Sequence, residues 1–333
     1  MKVAVDAMGG DQAPQVVVEG AVLAAREGHA VVLVGREPEV RGFLAGYPGA
    51  EQLPIEVVHA AEVVGMDEHP ATAVRQKKDS SIVAGVRLLK DGGADAFYSA
   101  GNSGAVMAAA LFVLGRQEGV HRPAIGGVIP LLEGRVFMVD IGANADCEAQ
   151  NLLQFGHLGA AYMRHMFGIA RPRVGLVNIG EEETKGNALV QATYPLLRES
   201  GLNFVGNVEG KDVTRGAADV VVTDGFTGNV MLKLAEGMQE LMLGLVRGAI
   251  MSKPHYKLAG AVLRPGLREA GRRLDYTEHG GAPLVGVRGA VFIGHGRSNA
   301  KAIASGVRAA AHAARIGLVQ KIQGDLLAAS LSA

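Results

Sequence analysis

Short runs of apolar, largely β-branched residues recur at 2–7, 30–35, 55–59, 96–100, 125–130, 135–141, 174–179, 203–208, 219–224 and 290–293. Most are almost unbroken in hydrophobicity, as strands are when both faces of a parallel sheet are covered. Helical stretches lie between them at 14–26, 80–90, 103–114, 147–167, 187–199, 228–250 and 298–316. Their ends carry the expected signals. Pro14 stands near one first turn, polar residues precede Ser80, and Gly28, Gly92 and Gly115 follow helix ends. The alternation predicts an α/β fold, doubly wound around a mostly parallel sheet. It breaks once, where 228–250 is followed by a second helical stretch at 256–273 with no strand between them. That predicts a helical hairpin, 228–273, projecting from the sheet. Neither a low-complexity linker nor a fixed-period repeat divides the chain, so a single domain over 1–333 is expected.

The strands stop in a repeated way. Apolar runs end at a glycine close to an asparagine in Ser99-Ala-Gly-Asn102-Ser103-Gly-Ala105, Asp140-Ile-Gly-Ala-Asn144, Asn178-Ile-Gly180 running on to Lys185-Gly-Asn187, and Thr223-Asp-Gly-Phe-Thr227-Gly-Asn229. A fifth stop, Asp6-Ala-Met-Gly9-Gly10-Asp11, ends the first strand. A strand that ends in glycine and opens a helix leaves backbone N–H groups pointing outward, a place for anions and above all phosphate. Several such turns at the same ends of one parallel sheet would form a single cleft.

Composition narrows the classes. At 333 residues and 48% hydrophobic, the chain can bury a large core. Lys plus Arg and Asp plus Glu both number 33, so no global basic field points to nucleic acid. The 47 glycines show no fibrous period and fit tight turns. A lone Cys147 excludes an internal disulfide and suits a reducing compartment. The first residues enter a strand with no signal-peptide core, and no apolar run is long enough to span a bilayer. A cytoplasmic protein is expected, with contact at a membrane surface still open.

Each loop has a functional and a plain reading. Lys185, between glycines, could reach an oxyanion held at a helix start, or be a solvent lysine beside Glu181, Glu182 and Glu183. Asp224 could orient a lysine or cap backbone donors, and Asn229 could donate to a carbonyl oxygen gaining charge, or both could belong to an Asx turn. Asn102, Ser103 and the adjoining glycines could wrap phosphate, or Ser103 could simply cap its helix. Asp6 and Asp11 could bind Mg²⁺, but Asp11 as a cap for the Pro14 helix is the plainer reading. The three glutamates need no metal in a first helical turn. His295, in Gly294-His-Gly-Arg-Ser298, could be an acid or base, or a structural imidazole. Cys147 could form an acyl thioester, though a buried thiol at a helix start is simpler. P-loop, HExxH, CxxC and GxSxG signatures are all absent, as is a GxGxxG after the first strand.

The hairpin tip is basic and apolar together. Lys253, Lys257, Arg264, Arg268, Arg272 and Arg273 stand against Glu269 alone, and Leu258, Ala261, Val262 and Leu263 add an apolar patch. Anionic lipid, an acidic protein partner, or a dimer contact with a solvated rim would each fit.

These motifs, with Gly280-Gly-Ala-Pro-Leu-Val-Gly286 and His295-Gly, resemble in order and spacing the bacterial phosphate acyltransferase family of phospholipid synthesis. The resemblance runs from residue 1 to about 323. It implies transfer of a long-chain acyl group from acyl carrier protein to inorganic phosphate. The acyl phosphate would pass to a membrane glycerol-3-phosphate acyltransferase. It also implies a homodimer, the fold of isocitrate dehydrogenases and phosphotransacetylases, and neither metal nor nucleotide cofactor. The residues assigned on this basis are Lys185, Asn229, Asp224 and His295 for catalysis. Gly9, Gly10, Asn102, Ser103, Gly104, Asn144, Gly225, Thr227 and Gly228 would bind phosphate or the acyl-pantetheine arm. Two rivals stand beside it: a metal- and nucleotide-dependent dehydrogenase on the related fold, and a non-catalytic membrane scaffold using the hairpin.

Overall fold

In the computed structural model, which describes residues 1–274 and 280–331, the alternation becomes one 11-stranded sheet. The first part runs β1 (Lys2–Asp6), α1 (Gln15–Arg26), β2 (Ala30–Gly35), α2 (Glu37–Leu44), β3 (Ile55–His59), α3 (Pro70–Gln76), α4 (Ser81–Lys90), β4 (Ala96–Ser99) and α5 (Ser103–Val113). The second runs β5 (Ala124–Pro130), β6 (Arg135–Val139), α6 (Ala149–Phe167), β7 (Arg173–Val177), α7 (Ala188–Glu199), β8 (Asn203–Val208), α8 (Gly210–Val213) and β9 (Val220–Val222). Two long helices follow, α9 (Gly225–Met251) and α10 (Pro254–Leu274). The chain then returns through β10 (Ala282–Val285), β11 (Val291–Ile293), α11 (Ala300–Arg315) and α12 (Leu318–Leu331).

Strand order is β3-β2-β1-β4-β11-β10-β5-β6-β9-β7-β8. The inner strands are covered on both faces, which explains their unbroken apolar runs, while the edge strands β3 and β8 are partly exposed. Val3 and Val5 of β1, with Val31 and Leu33 of β2, pack into a core shared with α1, α6 and α11. Their neighbours Ala4, Val32 and Val34 point the other way, into a core shared with α4 and α5.

The sheet is not parallel throughout. β10 pairs antiparallel with both β11 and β5, and β5 antiparallel with β6. The strands on either side form two parallel runs of opposite direction. The expectation of one cleft at the same ends of one parallel sheet is corrected accordingly. Loops after β1, β4 and β11 leave one edge of the sheet, and loops after β6, β7 and β9 leave the opposite edge. β10 was not expected, because Pro283 and flanking glycines hide a strand of four residues. The short helices α2, α3 and α8 and the C-terminal α12 were also not anticipated; α2 buries only Val40 and so has almost no apolar stripe.

The hairpin is present as α9 and α10. α9 begins at Gly225, three residues earlier than expected, because Asp224 caps it by accepting from Thr227 N–H at 2.9 Å. Only Gly225 and Gly228 of α9 are buried, and large apolar side chains farther along it, including Leu234, Met238, Leu241, Met242 and Leu245, are exposed.

Candidate functional site

The first turn of α9 leans on the loop after β6. A Cβ on Gly228 would lie 1.9 Å from the Asp140 carbonyl oxygen, and one on Gly225 would lie 2.7 Å from the Asn144 carbonyl oxygen. Asp140 is buried and gathers this loop. Its Oδ1 accepts from Ile125, Gly142 and Ala143 N–H, and its Oδ2 accepts from Asn144 N–H and Nδ2. Burial pushes the Asp140 carboxyl above the usual range, while these donors pull it back. Gly142, at φ 143°, makes room for Asn229. The Asn229 amide donates to Ile141 O at 3.1 Å. Asn144 spends its own amide on Pro123 O and Asp140. Thr227 Oγ1 donates to Asp224 Oδ2 at 2.7 Å. Asp224, Thr227 and Asn144 therefore build the turn, and Asn229 is the side chain that it presents.

The opposite edge is built in a similar way. Gly9 lies against the loop after β4, where a Cβ would come within 2.7 Å of Gly101 N and 2.4 Å of Asp6 Oδ2. Buried Asp6 accepts from Ser99 Oγ at 2.7 Å, and desolvation raises its carboxyl against the opposing hydroxyls. Gly10 has φ 113°, and Asp11 N–H donates to Gly296 O at 2.8 Å, tying this loop to the one after β11. Asn102 caps α5 by accepting from Ala105 N–H, and donates to the carbonyls of Gly65, Met66 and Glu68. Ser103 is thus not the cap, but stands as the first residue of α5 beside Gly104. Asp11 does not cap α1, whose N-cap position is Pro14 without a side-chain cap.

A cavity of about 800 Å³ lies between the two edges, across the middle of the sheet. Asp11, Gly101, Ser103, Gly142, Asn229 and His295 line it. Lys233, Glu236 and Arg297, none of them singled out in the sequence, line it too. Lys233 Nζ is 2.8 Å from Glu236 Oε2 and 3.1 Å from His295 Nε2, while His295 Nδ1 faces Arg297 N–H at 3.1 Å. Burial, and then the Lys233 charge, hold the His295 imidazole below its ordinary value. The signal for Lys233 was its spacing: one helical turn beyond Asn229 on the same face of α9.

Lys185 does not line the cavity. It is exposed on the loop after β7, where Asn178 Nδ2 donates to its carbonyl and Glu183 pairs with Arg198 at 3.1 Å. Lys253, Lys257, Leu258, Val262 and Arg264 are exposed on α10 or the turn before it. The side chains of Arg268, Glu269, Arg272 and Arg273 lie outside the described residues. Cys147 is half-buried, gives its thiol to Asn144 O at 3.4 Å, and is pushed up to about 11 by burial, a poor nucleophile at neutral pH. Among the described residues no group of three or more His, Cys, Asp or Glu could hold a metal ion, and no helix is long and apolar enough to cross a membrane.

Solved structures share this architecture. An EutD phosphotransacetylase from Staphylococcus aureus aligns at TM-score 0.59 and 16% identity over 94% of both chains. A phosphotransacetylase from Streptococcus pyogenes aligns at 0.60 and 18% over 97% of this chain and 93% of its own. A 4-hydroxythreonine-4-phosphate dehydrogenase from Klebsiella pneumoniae reaches 0.55 at 15% identity, covering 94% of this chain and 99% of its own. One fold thus carries different activities and does not choose between them. Sequence likeness does choose. The family model described as "Fatty acid synthesis protein" matches residues 1–321. The phosphate acyltransferase of Desulfitobacterium hafniense is 49% identical over 328 residues, 98% of each chain. That of Heliobacterium modesticaldum is 48% identical over 324 residues, 97% of each. With glycine-built turns facing one cavity and relatives this similar over nearly their whole length, the chain belongs to the phosphate acyltransferase family of fatty acid synthesis proteins.

Proposed function

We propose that this acyltransferase moves a long-chain fatty acyl group from acyl carrier protein to inorganic phosphate, by direct attack of phosphate on the thioester. A phosphate oxygen forms the new bond to the acyl carbon, the carbon–sulfur bond breaks, and acyl phosphate and the carrier thiol leave. Phosphate is nucleophilic enough at neutral pH to need no strong base. The demands are to hold an anion against a neutral thioester and to stabilise the oxyanion that forms.

The observation that carries this reading is the meeting of Asn229, Lys233 and His295 at one cavity with the glycine turns of both sheet edges. Asn229 donates to the thioester oxygen as it gains charge. Lys233 supplies positive charge to phosphate beside Gly101, Ser103 and Gly142, which line the same space, while the Gly225–Gly228 turn, whose N–H groups bond Asn144 O and Asp224, holds Asn229 in place. His295, adjacent to Lys233 and neutral, takes the proton of the attacking phosphate and hands it to the departing thiolate. Lys185 takes part only if its loop moves, or if it reaches the cavity of a second copy in a homodimer.

Leu258 and Val262, 71% and 75% exposed one turn apart, with Lys253, Lys257 and Arg264 nearby, suit an anionic membrane surface. There acyl phosphate would meet a membrane glycerol-3-phosphate acyltransferase. The test is phosphate-dependent thiol release from palmitoyl-acyl carrier protein. Wild type should release thiol in proportion to acyl phosphate formed. Asn229→Ala should be slower by about 10²–10³, the usual loss for one oxyanion donor. Thiol release independent of phosphate, or a near-normal Asn229→Ala rate, would overturn the assignment.

A further inference from the structure

The cavity has two unlike arms. Most of its polar groups, Asp11, Ser103, Asn229, Lys233, Glu236 and His295, gather at the glycine turns, while Arg297 reaches along α9 to Glu240. Beyond Glu236 the α9 wall is mostly apolar: Met238, Met242, Leu243 and Val246 line the space with residues 127–130 of β5, and Gln239 is the one polar side chain that α9 adds there. Ala235, Met238, Met242 and Val246 follow helical spacing and form one stripe. On β5, Ile125, Gly127 and Ile129 share a face by the two-residue period. Gly127 has no side chain there, and a Cβ would lie 2.9 Å from Ile141 Cδ1, which takes up that part of the floor.

Met238, Met242 and Val246 are 49%, 56% and 43% exposed, so this wall meets water although it is apolar. An occupant that covers it must itself be apolar along its length, and it must be anchored at the polar end, because both arms form one continuous space.

We infer that this arm takes the fatty acyl chain of the substrate, and that Met238, Met242 and Val246 set how long a chain it accepts. The inference rests on the acyl transfer proposed above. The carbonyl carbon lies beside Asn229 and the methyl end points along α9. Helical rise places Met238, Met242 and Val246 about 14, 20 and 26 Å from Asn229 along the axis. An extended palmitoyl chain reaches the Met242 region, whereas an octanoyl chain stops short of it. The space of about 800 Å³ lies within the ~300–1,000 Å³ of ligand sites. The flexible methionines of this wall adapt to the shape of an apolar chain.

The test compares kcat/KM for octanoyl-, palmitoyl- and stearoyl-acyl carrier protein in full-length wild type, Met238→Trp, Met242→Trp and Met242→Ala. Each methylene kept from burial costs roughly fourfold in binding. Met242→Trp should therefore lower the palmitoyl-to-octanoyl ratio by about tenfold or more. Met238→Trp should move the cut-off to still shorter chains, and Met242→Ala should raise stearoyl relative to palmitoyl. The alanine variant keeps the inference testable if tryptophan disturbs folding. Ratios equal to wild type in all three variants would overturn it. So would a changed oligomeric state with unchanged ratios, which would assign the α9 wall to a second copy of the chain. Absence of phosphate-dependent thiol release from every thioester in wild type would instead overturn the acyl transfer itself.

Discussion

α9 is two structures in one helix. Its first turn is locked: Asp224 caps it, and Gly225 and Gly228 are buried against backbone of the β6 loop. The turns beyond stand mostly in solvent with apolar side chains showing, and Gly237, Gly244 and Gly248 have nothing within 4 Å of an added Cβ. Glycine is needed at the start because backbone meets backbone, and is merely tolerated farther along. The same residue type therefore marks a site at one end of the helix and nothing at the other. Its value as a signal depends on whether a strand end lies beside it.

A pair of alanine substitutions breaks the comparison most sharply. In Gly228→Ala the new methyl would overlap the Asp140 carbonyl oxygen at 1.9 Å, and a backbone group cannot rotate away. The β6 loop must shift, with an expected stability loss on the order of 3 kcal/mol and with it the placement of Asn229. Gly237→Ala meets open space in a helix interior and should gain up to about 1 kcal/mol. Urea unfolding midpoints of the two variants measure both signs. Similar small shifts in both would show that the first turn is not locked.

A smaller effect is expected at the join between the two parts, where Lys233 meets His295 at 3.1 Å. The imidazole lies below its ordinary value through burial first and the lysine charge second. His295 is therefore neutral at neutral pH. As the medium is acidified below the ordinary imidazole range, the unfolded chain takes up the proton first, and folding stability falls through that window. Lys233→Met removes the charge and leaves the burial, so the His295 titration should move partway up in pH. The imidazole proton resonances follow it directly. An unchanged or lowered titration would separate the two groups.

Much of this was legible in the chain. Unbroken runs such as Val3–Val5 and 31–34 gave the sheet, because covering both faces leaves no alternation to misread. Asn229, His295 and the Gly225–Gly228 turn could be found from their local pattern. What escaped depended on pairing at a distance. β10 shows no strand pattern of its own, since Ala282 and Pro283 pair with β11 and the next two residues with β5. The reversal of the sheet around it followed from the same contacts. Lys185 stood out because glycine flanks it, yet its loop follows β7, away from the cavity lining. In sequence Lys233 shows only its one-turn spacing from Asn229; the path of α9 past the β11 loop is what brings it to His295.

The smallest effect on the isolated protein belongs to the far end of the hairpin, and it sharpens the comparison from the exposed side. Leu258 and Val262 are 71% and 75% exposed, so replacing them with glutamate removes little native packing. Stability should change by less than about 0.5 kcal/mol, as at surface sites generally. On a membrane the same change is large, because two apolar anchors become charges that anionic headgroups repel. The double variant Leu258→Glu/Val262→Glu should keep the wild-type unfolding midpoint yet stop floating with vesicles containing anionic phospholipid, and high salt should weaken wild-type flotation through the nearby lysines and Arg264. Flotation that survives both substitutions would rule out lipid insertion by this tip. A lowered midpoint would show that these side chains are packed in solution, so that the fold holds the tip of the hairpin as well as the first turn of α9.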